Sequence, residues 1–178
     1  MSRLKITDPM KTTGSHAKIF SQINGVFGTV PNMFRVIGNS EAALESMWTS
    51  FGALGGGKLE AKLGEQIAVL VADINRCEYC LAAHTVLGKK AGASDHEMSA
   101  AQAGESNDPR TQAALTFSKK LVQNRASISD SDIDELKSAG FDDEEVAEIL
   151  AHVALNIFTN YTNVAFNVPV DFPKVKLR

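Results

Sequence analysis

Four residues in this 178-residue chain have the types and the spacing to do chemistry together: Glu65, Cys77, Cys80 and His84. A helix turns about 100° per residue, so with Cys77 set at zero Cys80 falls near about −60° and His84 near about −20°. Both thiols and the imidazole then share one narrow face, and Tyr79 points to the far side. With the helix starting at Asn75 or Arg76, Cys77 occupies the first turn, where free N–H groups and the helix dipole favour a thiolate. His84, one turn beyond Cys80, is within reach of its proton. Glu65 precedes the apolar run Ile67–Ala72, which predicts a buried helix and a carboxylate in need of a polar partner. A short turn between the two helices would bring Glu65 to His84, as the orienting member of a Cys–His–Glu relay.

Three uses of this cluster compete. A CxxC pair with a base beside it suits reversible disulfide chemistry. Structural zinc would need a fourth ligand besides Cys77, Cys80 and His84, yet no third cysteine exists, and His16, His96 and His152 show no ligand spacing. Simple core packing of two small thiols is the third use, and it leaves His84 and Glu65 unaccounted for. The residues favour redox chemistry over metal. Helix position alone points to Cys77 as the thiol that meets an incoming disulfide. No βαβ pattern surrounds the motif, which disfavours a thioredoxin fold.

The remaining composition sets the frame. The chain is 44% hydrophobic and fits one domain over 1–178, with residues 1–30 as an N-terminal arm and 168–178 as a C-terminal tail. A net charge of −3 argues against a nucleic-acid partner. The start, Met1–Ile6, has no apolar h-region, and the run Ile67–Ala72 falls far short of the ~20 residues that span a bilayer. A cytoplasmic protein without a membrane partner is expected.

Helix signals dominate the sequence. Between Asn32 and Val168 the only proline is Pro109, which follows the N-cap candidate Asp108. Apolar residues at helical spacing predict a helix from Glu41 to Phe51, ending before Gly52, and others over Leu59–Asp73 and Arg76–Ala91. Ser94–Glu97 reads as a capping box, and Pro109–Asn124, Ser129–Ala139 and a long element from Asp142 into the 160s complete an all-α chain.

Several patterns have a plain explanation. Gly52–Lys58 fits seven positions of a phosphate-binding loop, but Leu59 stands where Ser or Thr should reach magnesium, so an inter-helix loop is expected. The acidic clusters Asp130–Glu135 and Asp142–Glu145 sit at helix starts, where carboxylates cap. Asn160–Thr162 is a chance glycosylation sequon. The tail with Lys174, Lys176 and Arg178 is either extended or an arm on a neighbouring subunit. His152, Asn156, Asn160, Asn163 and Asn167 form a polar stripe at spacings 4, 4, 3 and 4. Other solvated faces of the chain use charged residues, so this stripe is expected to be partly buried, at a subunit contact or near the cysteines.

Glu65, Cys77-Glu78-Tyr79-Cys80 and Ala83-His84 together resemble the alkylhydroperoxidase AhpD-like, carboxymuconolactone decarboxylase superfamily, in particular its peroxidase-related branch. Val30–Arg35, Ala139–Phe141, Asn156–Tyr161 and Val170–Pro173 resemble further blocks of that branch, so the likeness covers nearly the whole chain. The resemblance implies an AhpD-like helical domain, a homo-oligomer (trimer or hexamer) and thiol-dependent reduction of a small-molecule hydroperoxide. By the same analogy Cys80 is the peroxidatic thiol, Cys77 resolves it, and His84 and Glu65 relay the proton. No bound cofactor is implied; an external lipoyl-like dithiol, free or on a reductant protein, restores the thiols. Some family peroxidases carry a histidine where Tyr79 stands, which leaves an auxiliary proton donor open. The alternatives are a decarboxylase-like enzyme that works without the thiols and a non-catalytic redox sensor.

Overall fold

A computed structural model describes residues 1–178 as nine α-helices and no strand. They are α1 (Gly14–Phe27), α2 (Asn32–Ile37), α3 (Glu41–Gly55), α4 (Ala61–Ile74), α5 (Glu78–Lys90), α6 (Asp95–Ala103), α7 (Pro109–Gln123), α8 (Asp130–Ser138) and α9 (Asp143–Phe166). The all-α class read from the sequence is the class observed. None of the helices is long and apolar enough to cross a membrane.

The centre of the fold is α4. Helices α5, α6, α7 and α9 all pack against it, and Gln66 through Ala72 are buried without a break. That surround explains why the run Ile67–Ala72 is apolar on every side and not only along one stripe. Leu81, Leu115, Leu136 and Ile149 bring the neighbouring helices into the same core.

Caps fix where the outer helices start. Ser94 with Glu97 and Asp142 with Glu145 form complete capping boxes, and at the start of α8 the Asp132 carboxylate accepts from Ser129 N at 2.8 Å. Asp108 caps α7 through Thr111 N at 2.8 Å, with Pro109 at the first helical position. The acidic clusters thus serve as caps.

Other boundaries depart from expectation. The N-terminal arm expected over 1–30 contains α1, which buries Ile19, Phe20 and Ile23. The short α2 follows, burying Met33, Phe34 and Val36. Helix α3 runs through Gly52 to Gly55, so only the last part of the glycine-rich stretch is a loop. That loop is held by Glu148, whose carboxylate accepts from Lys58 N and Leu59 N at 2.9 and 2.7 Å. The tail lies along its own chain: Gln102 Nε2 donates to Lys176 O at 3.0 Å, and Arg178 N to Asp73 Oδ1 at 3.0 Å.

Candidate active site

Only three residues, 75–77, connect α4 to α5. Arg76 takes a left-handed conformation with φ of 57°, its N–H donates to Asp73 O at 3.0 Å, and Cys77 N donates to Ala72 O at 2.8 Å. These two bonds close α4 in the manner of a Schellman motif. Cys77 is also the N-cap of α5, its sulfur accepting from Cys80 N at 3.3 Å. The helix therefore begins at Glu78, two residues later than expected, and Cys80 is its third residue. Folding back so tightly lays α5 antiparallel on α4 and sets Glu65 beside His84.

The four expected residues do come together. His84 Nδ1 and Glu65 Oε2 are 2.7 Å apart, and both cysteines are free and buried. Burial works against a charged His84, but the charge and hydrogen bond of Glu65 outweigh it and raise the imidazole above its ordinary value. For Cys80 burial again opposes ionisation. It is overcome by the hydrogen bond from Cys77, the charge on His84 and the amides of Asn163 and Asn160, and the thiol is lowered to about 6. Cys77 is pushed the other way, first by its hydrogen bond to Cys80 and then by burial. The inference from helix position is therefore reversed: Cys80, and not Cys77, is the thiolate.

Helix α9 completes the cluster from more than 75 positions away. Asn163 Nδ2 donates to Cys80 Sγ at 3.1 Å, and Thr159 Oγ1 lies 4.0 Å from the same sulfur. Asn156, Asn160 and Asn163 are all buried, so the polar stripe does reach the cysteines. Its end residue Asn167 instead caps α9 in a left-handed conformation. His152 lies behind Glu65 and His84, in a second cavity of about 200 Å³, where burial lowers its imidazole.

Tyr79 needs correction as well. It is buried against the site, where its hydroxyl donates to Asp171 Oδ2 at 2.6 Å and accepts from Met33 N at 3.3 Å. Burial and Asp171 raise the phenol, and with both hydrogen-bonding roles taken it has no proton to give a substrate. Asp171 also accepts from Asn32 N and Asn32 Nδ2 at 2.7 and 2.5 Å. The blocks Val30–Arg35 and Val170–Pro173 therefore meet at the site, a contact that no spacing rule predicted.

In front of Cys80 lies an apolar cavity of about 100 Å³. Phe27, Met33, Phe34, Phe51, Tyr79 and Phe172 wall it, while Cys80, His84 and Glu65 supply its polar side. Phe172 stands edge-on to Tyr79, with ring centroids 5.7 Å apart. The aromatic wall escaped sequence reasoning because its members come from five separate segments. Nowhere do three or more His, Cys, Asp or Glu side chains converge in a way that could hold a metal.

Residues 42–120 match the profile of the carboxymuconolactone decarboxylase family. The fold is similar to that of an uncharacterized peroxidase-related protein from Silicibacter sp. TM1040, with a TM-score of 0.82 and 24% identity over 94% of this chain and 91% of that one. A peroxidase-related protein from Ralstonia eutropha JMP134, described as an alkylhydroperoxidase AhpD core, gives a TM-score of 0.88 at 20% identity over 96% and 92%. The C82A variant of the debrominase Bmp8, in complex with 2,3,4-tribromopyrrole, gives 0.76 at 20% over 96% and 94%. Among curated proteins none matches the sequence.

Proposed function

We propose that this chain, whose residues 42–120 match the carboxymuconolactone decarboxylase family and whose fold is similar to that of AhpD-like proteins, is a thiol-dependent reductase of organic hydroperoxides. The observation that carries this is a buried thiol lowered to about 6, next to a raised imidazole, at the floor of an apolar pocket.

The Cys80 thiolate attacks the outer oxygen of the hydroperoxide. The O–O bond breaks, and His84, held by Glu65, gives its proton to the departing alkoxide. Cys80 is left as a sulfenic acid and an alcohol is released. The protonated Cys77 then attacks the Cys80 sulfur, and its proton goes by way of His84 to the leaving hydroxide. Water and a Cys77–Cys80 disulfide result. An external dithiol of the lipoyl type reduces that disulfide and is itself oxidised to a disulfide.

The pocket favours compact apolar substrates. A dry cavity of about 150 Å³ accommodates benzene, so about 100 Å³ suits a short alkyl group or at most one ring. The aromatic wall also supports a second substrate class, a halogenated ring of the kind in the Bmp8 complex, which the same two thiols would reduce to the hydrogen-bearing ring with release of halide.

A homo-oligomer (trimer or hexamer) is part of the proposal. It is supported by α9, where Leu150, Phe158, Tyr161 and Val164 are exposed and no Asp, Glu, Lys or Arg occurs from Ile149 to Val170. A cytoplasmic location suits thiols that must be re-reduced in each cycle.

Stopped-flow mixing of reduced protein with tert-butyl and cumene hydroperoxides tests the reaction, with mass spectrometry of Cys77→Ser to trap a sulfenic acid on Cys80. Peroxide consumption that persists in Cys80→Ser would refute it. Turnover of a lactone by the doubly Cys→Ser protein would point to a decarboxylase-like enzyme instead. A reversible disulfide without turnover would mark a redox sensor.

A further inference from the structure

Asn160 is fully buried on α9, and its Oδ1 accepts from Asn75 Nδ2 at 3.0 Å. That bond fixes the amide plane, yet the NH2 group at its other end has no acceptor within hydrogen-bond distance and acts on the Cys80 thiol only from further off. Less than one turn further along, Asn163 Nδ2 donates to Cys80 Sγ at 3.1 Å. Thr159, the residue before Asn160, stands 4.0 Å from the same sulfur, so this turn of α9 is the wall behind the thiol. A donor buried without a partner is costly, and in a site of this kind its persistence calls for a charge that it can meet.

We propose that Asn160 and Asn163 form a thiolate cradle, two amide donors that take up the negative charge of Cys80 as it leaves the Cys77–Cys80 disulfide and so direct the reductant to Cys77. This rests on the assignment of the two thiols as the redox pair. In the step concerned, a thiolate of the external dithiol attacks Cys77 Sγ. The Cys77–Cys80 bond breaks, its electron pair stays on Cys80 Sγ, and a mixed disulfide joins the reductant to Cys77. The second thiol of the reductant then attacks its own bonded sulfur, Cys77 departs with that proton, and the reductant leaves as a disulfide. Of two sulfurs in a disulfide, the one whose thiolate is better stabilised is the better leaving group. The side-chain amides of the cradle serve Cys80 alone; Cys77 Sγ accepts instead from the backbone N–H of Cys80, at 3.3 Å against 3.1 Å from Asn163 to Cys80.

The test compares wild-type protein with Asn160→Ala and Asn163→Ala. It measures the pH dependence of Cys80 alkylation by iodoacetamide and the rate at which dihydrolipoamide reduces the oxidised protein. Charge-assisted hydrogen bonds predict that each substitution lowers alkylation at pH 6 about tenfold or more, with recovery at high pH, and slows disulfide reduction to a similar extent. A purely structural role would not shift the titration midpoint. Should Asn160→Ala fail to fold, Asn75→Ala removes only the bond that orients Asn160 and reports the same shift, smaller in size. Folded variants with an unchanged midpoint overturn the cradle, and a shifted midpoint with unchanged reduction overturns the direction of attack. If the midpoints shift as expected but wild-type protein consumes no peroxide, the cradle stands and the peroxidase assignment fails.

Discussion

Replacing Glu65 by Gln removes one charge and keeps the shape of the side chain. At the observed 2.7 Å separation from His84 Nδ1, the bare attraction in a medium of effective dielectric ~20 is about 6 kcal/mol. Solvent trims it, since the Glu65 side chain is 23% exposed and that of His84 11%. What remains is about 1.5–3 kcal/mol, the usual worth of a hydrogen bond to a charged group. Losing it lowers the His84 titration. Burial, the leading influence opposing charge on His84, then prevails. Cys80 loses its imidazolium neighbour and rises from about 6. The acid limb of the single-turnover peroxide rate should move up by about one unit, with a roughly fivefold loss at pH 6. At pH 9 the thiolate recovers, but the rate does not return fully, because His84 no longer carries the proton the alkoxide needs. Rates would come from stopped-flow kinetics between pH 5 and 9, and the thiolate from its absorbance near ~240 nm. An acid limb that stays put in a folded Glu65→Gln protein would refute the coupling of Glu65, His84 and Cys80.

Other outcomes follow from the same geometry. Phe172→Ala removes one wall of the apolar pocket, so the ratio of kcat/KM for a long-chain lipid hydroperoxide to that for tert-butyl hydroperoxide should rise; an unchanged ratio would remove Phe172 from substrate selection. Gly38→Ala would set a Cβ 2.6 Å from Phe20 Cζ and 2.8 Å from Phe34 O, a clash expected to cost about 1–3 kcal/mol in chemical denaturation. Leu81→Ala, at a fully buried position, should cost about 2–5 kcal/mol. Because the folded-state value of Cys80 lies below its unfolded one, its contribution to stability is present above about pH 9 and is lost as pH falls through about 6. Relative to Cys80→Ser, reduced wild-type protein should therefore gain stability from pH 6 towards 9, with the raised Cys77 working against it beyond that range.

Local patterns were legible wherever one segment carried the whole signal. The capping box at Ser94, the capping carboxylates at the starts of α8 and α9 and the buried run of α4 depend on neighbours within a turn or two, and they appear where expected. The quartet Glu65, Cys77, Cys80 and His84 was legible for the same reason, being carried by two consecutive helices. The choice of thiolate was not, because it is made by Asn163 and by the hydrogen bond from Cys77, and helix-start position counts for less. Helices α1 and α2 owe their existence to packing of Phe20 and Phe34 into the core, which short periodic stretches do not announce. The glycines at 52 and 55 suggested a break, yet α3 continues through them, so local propensity was overridden.

Cys77 holds two offices that cannot both be filled at once. In the reduced protein its sulfur accepts the Cys80 N–H and so anchors the start of α5. In the proposed disulfide form that sulfur would be bonded to Cys80 and drawn away from the amide. On the proposed cycle each oxidation would unfasten the first turn of α5, and each reduction would fasten it again. Hydrogen exchange over residues 76–81 should be faster in the disulfide form, so the backbone itself would signal to a reductant which molecules are spent.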